Sequence, residues 1–202
     1  EIKEKMTSIN NNIAKIDDTI LIPNSVEITR LAIIKEPIQI KYKTNTNHMT
    51  NTKNSLVQKI THPSRFKFKF NNNKYNLYEL RIIKSERLVT LGQPFDLEIH
   101  LIHKNANNIF DTLVLVFPIR ITNKECDDGL FKKLFGSIAD IPEKNNFQVY
   151  NGKIQTIDYN CFSNYLLDTE ICYYNPSSTY LIIQKPILEN KKFIKTIQNV
   201  LE

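Results

Sequence analysis

The length, composition and charge of the chain restrict the classes of protein that it can represent. Its 202 residues, of which 24% are charged, are enough for one sizeable hydrophobic core and few for two domains. A net charge of +6 favours acidic partners such as nucleic acid, sulfated glycans or anionic membrane surfaces, but charge does not indicate a fold. No apolar run approaches the ~20 residues that cross a bilayer, so we expect no transmembrane segment.

Neither the cysteines nor the glycines form a pattern typical of a site. Cys126, Cys161 and Cys172 are odd in number and lack metal-ligand spacing, so we expect reduced thiols rather than disulfides or a thiolate zinc site. The 4 glycines lie far apart, which argues against a loop that cradles phosphate. No segment resembles the base-stacking strands of single-strand binders, so we predict no nucleic-acid partner and no organic cofactor.

The first half of the chain begins with a polar arm and continues with strands. Residues 1 to 25 lack a helical period and are predicted to form an irregular N-terminal arm, with one domain at 26 to 202. Two-residue alternation of apolar and polar side chains then predicts half-buried strands. These segments are 38 to 43, 55 to 60, 65 to 70 and 76 to 83, and the Asn- and Thr-rich segment 44 to 54 is predicted to be a loop.

The second half adds strands and the only helical periods. Strands are predicted at 95 to 103, 112 to 121 and 178 to 187, and Pro118 should lie at a bulge or strand end because it lacks an N–H. Apolar side chains at helical spacing predict helices at 127 to 142 and 189 to 202. The second helix should bury Phe193, Ile194, Ile197 and Leu201. Many strands and few short helices indicate a mainly β domain.

Two short motifs in the middle of the chain resemble a known family. The letters "SER" at 85 to 87 are followed by "EIHLIHKN" at 98 to 105. This resembles the α-class carbonic anhydrases, whose strands read F-H-F-H, then S-E-H, then E-L-H-L-V-H. The resemblance is collinear from about residue 8 to residue 200. It implies a central, mostly antiparallel β-sheet with a few peripheral helices.

The same resemblance implies that the zinc site of the family is degenerate here. The family binds Zn²⁺ through three imidazoles and leaves the fourth position for hydroxide. Laid on this sequence, the three histidine positions fall on Glu79, Arg81 and His100, so two of the three ligands are absent. We therefore predict no bound metal and no carbonic anhydrase activity.

The residues around these positions support that interpretation. A guanidinium has no lone pair to give to a metal, and Glu79 shares a strand face with Arg81, so we predict that an Arg81–Glu79 ion pair, with Glu98 or His100 nearby, replaces the metal. Glu86 matches the acid of the family's S-E-H motif, and Glu98 matches the acid that orients a zinc-binding histidine. His100 is interpreted as a buried, hydrogen-bonded strand histidine rather than a metal ligand.

A basic strand offers a second candidate surface. Arg65, Lys67 and Lys69 project from one side of "RFKFKF" and could bind a polyanion, although an ordinary amphipathic strand with a solvated charged face is the favoured explanation. Lys41 and Lys43 would extend this face if the two strands are neighbours.

Two function classes follow from these features. The favoured hypothesis is a non-catalytic carbonic anhydrase-like domain that acts as a binding or structural subunit of a larger assembly of proteins. The alternative is an adhesion module on a virion or cell surface that binds sulfated glycosaminoglycan through the basic strand. Residual carbonic anhydrase or esterase activity is a disfavoured third. The N-terminal arm is our candidate for a segment that lies across another subunit.

Overall fold

The computed structural model describes most of the chain. The described residues are 13–16, 20–23, 26–27, 31–34, 38–52, 54–85, 88–90, 93–123, 129–143, 152–167, 169–175 and 178–202. None of the helices within them is long and apolar enough to span a membrane.

One large mixed sheet organises the fold. Its strands are β4 (Ala32–Ile34), β5 (Gln39–Lys41), β6 (Thr44–Asn51), β7 (Ser55–Lys59), β8 (Lys67–Phe70), β9 (Asn73–Lys84), β12 (Leu97–Asn105), β13 (Thr112–Thr122), β14 (Lys153–Asp158), β15 (Ile171–Tyr174), β16 (Thr179–Ile183) and β17 (Ile187–Asn190). Their order is β14-β6-β7-β9-β12-β13-β16-β15-β4, while β8 joins β9 to β5 and β17 pairs with β13. Neighbours are antiparallel except where β13 meets β16 and β17. The predicted mainly β, mostly antiparallel architecture is confirmed.

Two small sheets stand apart from the large one. The strands β1 (Ile13–Ile16) and β2 (Ile20–Pro23) form an antiparallel pair. The strand β10 (Leu88–Thr90) pairs with β3 (Val26–Glu27) and with β11 (Gln93–Pro94). Within the predicted irregular arm, residues 13–16 and 20–23 are therefore strand, because their short apolar runs pair with each other. The division into arm and domain remains a prediction.

Short helices cover one side of the large sheet. The helix α1 (Leu130–Phe135) buries four apolar side chains, and α2 (Lys191–Val200) buries Ile194 and Ile197. Short 3-10 helices lie at Pro63–Arg65, Ile138–Asp140 and Tyr159–Tyr165. The terminal amphipathic helix is confirmed, with Leu201 buried and Phe193 packed against the core. The first helix is shorter than predicted because Gly136, at φ +76°, ends it.

The large sheet separates two apolar clusters. Alternate residues of β9, β12 and β13, such as Leu80, Ile99 and Leu115, face the main core together with both helices. The intervening residues face the opposite side, where Val114 and Val116 pack with side chains that include Leu88, Phe95 and Tyr180. This second side also carries the candidate site.

Two of the strand predictions are wrong at particular residues. The segment 44 to 54, predicted as a loop, contains β6, which pairs with both β7 and β14. Buried partners override the low strand propensity of Asn, since Asn45 donates to the Gln58 side chain and Met49 is fully buried. Pro118 lies inside β13 rather than at its end. On one side β13 pairs with β16 up to Val116 and with β17 from Ile119, so Pro118 has no partner there.

Candidate functional site

Strand register brings together the residues that the sequence singled out. In the antiparallel pair of β9 and β12, Arg81 lies directly opposite His100. Directly opposite residues share a face, and so do residues two apart along a strand. Glu79 and Glu98 therefore lie on the same face as Arg81 and His100. All four are on the side of the sheet that carries the smaller apolar cluster.

Arg81 and Glu79 form the ion pair that we predicted. The Arg81 Nε donates to Glu79 Oε1 at 2.9 Å, and Arg81 Nη2 lies 2.7 Å from the same oxygen. Both side chains are partly exposed, at 29% for Arg81 and 17% for Glu79, so water screens part of their attraction. The pair is confirmed, and its role in place of a metal is a proposal.

Glu98 orients His100 on the neighbouring strand. The His100 Nε2 donates to Glu98 Oε2 at 2.7 Å, and Ser85 Oγ donates to Glu98 Oε1 at 2.6 Å. Both residues of the His100–Glu98 pair are buried. His100 is therefore a buried, hydrogen-bonded strand histidine, as expected. Glu86, the acid that matches the S-E-H motif, lies outside the described residues.

Two tyrosines extend the site across the sheet. Tyr180 and Tyr174 face each other in the β15–β16 pair, with ring centroids 6.2 Å apart. Both are buried, and in the part of the chain that the structure describes neither hydroxyl has a hydrogen-bond partner. Burial raises the pKa of Tyr174 to about 12. Burial also raises the pKa of Tyr180, and so do the nearby Tyr174 and Glu98, whereas Arg81 lowers it. The Tyr180 hydroxyl is therefore close enough to the site to be influenced by the charges of Glu98 and Arg81.

The donor set at the predicted zinc position does not fit zinc. Arg81 offers no lone pair, the Glu79 carboxylate is held in the ion pair with Arg81, and His100 is the one imidazole at the three positions. A positive guanidinium directly opposite His100 would also repel a cation. Across the described ranges no group of three or more His, Cys, Asp or Glu side chains is placed to hold a metal ion.

His103 belongs to the other side of the sheet. It is fully buried in the main core, where its ring packs against those of Tyr42 and Phe68. Its Nδ1 donates to the Leu113 carbonyl oxygen at 3.2 Å, so Nε2 accepts from the Tyr42 hydroxyl. Desolvation lowers the pKa of His103 from 6.5 to about 3, against the effect of hydrogen bonds to backbone oxygens, which raise it. His103 therefore packs in the main core, on the face of the sheet opposite to that of His100.

The basic strand is part of a wider cationic face. In the register of β5 with β8, Lys41 lies opposite Lys67, and in that of β8 with β9, Lys69 lies opposite Lys74. Lys104 on β12 lies opposite Asn76, which in turn lies opposite Lys67. We define the cationic face as Lys41, Lys67, Lys69, Lys74 and Lys104. Arg65 and Lys43 are exposed near its ends.

Comparison with solved structures identifies the architecture. The chain is similar to the α-carbonic anhydrase of the fungus Aspergillus oryzae, with a TM-score of 0.71 and 12% identity over 89% of this chain and 77% of that one. The chain has an α-carbonic anhydrase-like fold. The α-carbonic anhydrase of Photobacterium profundum gives a TM-score of 0.62 at 13% identity, covering 82% of this chain and 74% of that one. Dioscorin, solved with ascorbate, gives 0.58 at 13% identity, covering 88% and 72%. No family model and no curated protein matches the sequence.

Within this carbonic anhydrase-like fold, several site residues escaped the sequence reasoning. Tyr180 lies in a predicted strand, but Tyr174 lies in β15, which was not predicted, and nothing in their spacing indicates that these strands become neighbours. Ser85 precedes the acid of the "SER" motif, yet its bond to Glu98 depends on the register of two strands. Lys74 extends the cationic face through the pairing of β8 with β9, and Lys104 extends it because a register shift opposite Ile102 and His103 sets Asn76 opposite Lys104.

Proposed function

We propose that this chain is a non-catalytic carbonic anhydrase-like domain that serves as a binding or structural subunit of a larger assembly. The observation that carries the proposal is the position of Arg81, opposite His100 and paired with Glu79. In this proposal, Glu79, Arg81 and His100 stand where the family has its three zinc ligands. Without a metal the site cannot generate a hydroxide at neutral pH, so CO2 hydration by the family's route is lost.

Packing around the site supports a structural role for it. Glu98 holds His100 in a buried pair, and Val114 and Val116 fill the adjoining surface with apolar atoms. A site closed by an ion pair and apolar side chains stabilises the strands that carry it. In that case the domain would bind its partners through surfaces other than the former active site. The fold alone does not determine which surfaces these are.

A restoration experiment tests the proposal. The double variant E79H/R81H places imidazoles at both changed positions beside His100, and Lys132→His on α1, on the other side of the sheet, serves as a control with an added imidazole. We expect tight zinc binding by the double variant, and none by the native protein or the control. Zinc-dependent CO2 hydration by the native protein would contradict the proposal. If the double variant does not fold, zinc titration of the native protein still decides the question.

The alternative function is adhesion to sulfated glycosaminoglycan through the cationic face. The observation that favours it is the pairing of β5 with β8, which sets Lys41 directly opposite Lys67. Like charges in opposite positions destabilise a sheet, and a bound polyanion would relieve that repulsion. We expect Lys41→Gln with Lys67→Gln to reduce the salt concentration that elutes the protein from heparin. The matched variant Lys132→Gln with Lys133→Gln on α1 removes the same charge elsewhere, and equal shifts for both would contradict a specific glycan face.

A further inference from the structure

The hairpin between β12 and β13 presents apolar side chains to solvent. Residues 106 to 111, which we call the hairpin tip, carry Phe110 with 89% of its surface exposed and Ile109 with 58%. A single exposed apolar residue is ordinary on a protein surface. Two adjacent ones at the end of a hairpin, one of them aromatic, form a compact protrusion that water solvates poorly.

This exposure is built into an ordered turn. Asn105 N donates to Asp111 O at 2.9 Å, and Asp111 N donates to Asn108 O at 3.0 Å. Side-chain oxygens satisfy two more backbone groups, since Asn107 N donates to Asn105 Oδ1 and Phe110 N donates to Asn108 Oδ1. These bonds pair the N–H groups of Asn107, Phe110 and Asp111, so fewer backbone donors lose a partner when the hairpin tip leaves water.

Lysines surround the base of the same hairpin. Ala106 N donates to the Lys74 carbonyl oxygen at 2.8 Å, which joins the hairpin tip to β9 where Lys74 lies opposite Lys69. Lys104 lies on β12, the strand that pairs with β9. Its Nζ is 5.2 Å from the centre of the Tyr78 ring. The nearby Asp111 carboxylate is occupied by hydrogen bonds from the Tyr75 hydroxyl and the Asn105 amide.

We propose that the hairpin tip docks on an anionic lipid membrane, with Ile109 and Phe110 entering the interface and Lys69, Lys74 and Lys104 contacting acidic headgroups. The two features point to one partner because a bilayer surface combines negative charge with an apolar layer directly beneath it. A glycosaminoglycan would use the lysines and leave Phe110 in water. This docking does not depend on whether the zinc site is degenerate.

Vesicle binding tests the docking with matched variants. The probe is phosphatidylcholine vesicles with and without phosphatidylserine, sedimented with the full chain. The tip variant is I109S/F110S, and its control is Ile154→Ser, which removes an exposed isoleucine from β14. The charge variant is K69Q/K74Q, and its control is K132Q/K133Q. Unfolding curves of all four check that each variant is folded.

We expect binding only to vesicles that contain phosphatidylserine. The tip variant should bind about tenfold more weakly or worse, and the charge variant on the order of 30-fold more weakly, while both controls bind like the native protein. Added salt should abolish the effect of the charge variant. Equal binding by the native protein and the tip variant would overturn the proposal. Retention on heparin without vesicle binding would also overturn it, but would leave the glycan alternative intact.

Discussion

The buried histidine of the main core should make the protein markedly less stable in mild acid. In the folded protein His103 is neutral, because its Nδ1 donates to Leu113 O and its Nε2 accepts from Tyr42, and burial lowers its pKa from 6.5 to about 3. Between those pH values the unfolded chain binds a proton that the folded chain does not. This contribution to stability is therefore fully present above pH 6.5 and is lost as the pH falls.

The size of the loss follows from the two pKa values. At pH 5 an unfolded histidine with a pKa of 6.5 is almost fully protonated and the folded one is not, which corresponds to about 2 kcal/mol relative to neutral pH. Urea unfolding of the native protein at pH 7.5 and pH 5, compared with His103→Gln, isolates this contribution. We expect the native protein to lose about 2 kcal/mol more than the variant between these pH values. Equal losses would refute a neutral, buried His103.

Three further predictions concern buried polar contacts, and chemical unfolding at pH 7 measures each. Glu98→Ala should lower the free energy of unfolding by about 2 kcal/mol, since His100 and Ser85 both lose their acceptor; an unchanged midpoint would show that neither bond matters. Gln58→Leu should cost about 3 kcal/mol, because Tyr159 and Asn45 would keep buried donors without Gln58 Oε1; a neutral effect would argue against this network. Gly129→Ala should lower the free energy of unfolding by about 1–3 kcal/mol, because the added Cβ would lie 2.6 Å from a carboxylate oxygen of Glu189. That carboxylate is buried and accepts a hydrogen bond from Phe131 N in α1, so it cannot move away freely. The exposed Ala139→Gly in the adjacent 3-10 helix is its control, and equal losses would contradict the steric argument.

Local pattern was enough to predict a mainly β domain, and it indicated which of the residues singled out by the carbonic anhydrase resemblance share a strand face. Alternation along β9 and β12 indicated which side chains share a face, so Glu79 with Arg81 and Glu98 with His100 could be placed together before any register was known. The terminal helix was equally accessible, because its apolar spacing is local. Each of these inferences uses residues a few positions apart in the chain.

The features that sequence could not supply depend on contacts between distant segments. The strand β6 is stabilised by the side chain of Gln58 and by pairing with β14, which starts more than 100 residues later. Tyr180 reaches the site because β16 lies beside β13, and only β12 and β13 separate β16 from β9. Lys74 and Lys104 join the basic strand only through the order of three strands and one bulge. Which strands become neighbours depends on tertiary contacts. It cannot be inferred from the local sequence of each strand.

The most direct test of the central claim is the zinc content of the native protein, measured by elemental analysis after purification and again after incubation with a stoichiometric excess of zinc and buffer exchange. The same samples are assayed for CO2 hydration. With Arg81 opposite His100 and Glu79 held in the ion pair, we predict substoichiometric zinc in both samples and no hydration above the uncatalysed rate. One zinc per chain retained with CO2 hydration would contradict the claim that this carbonic anhydrase-like site has lost its chemistry.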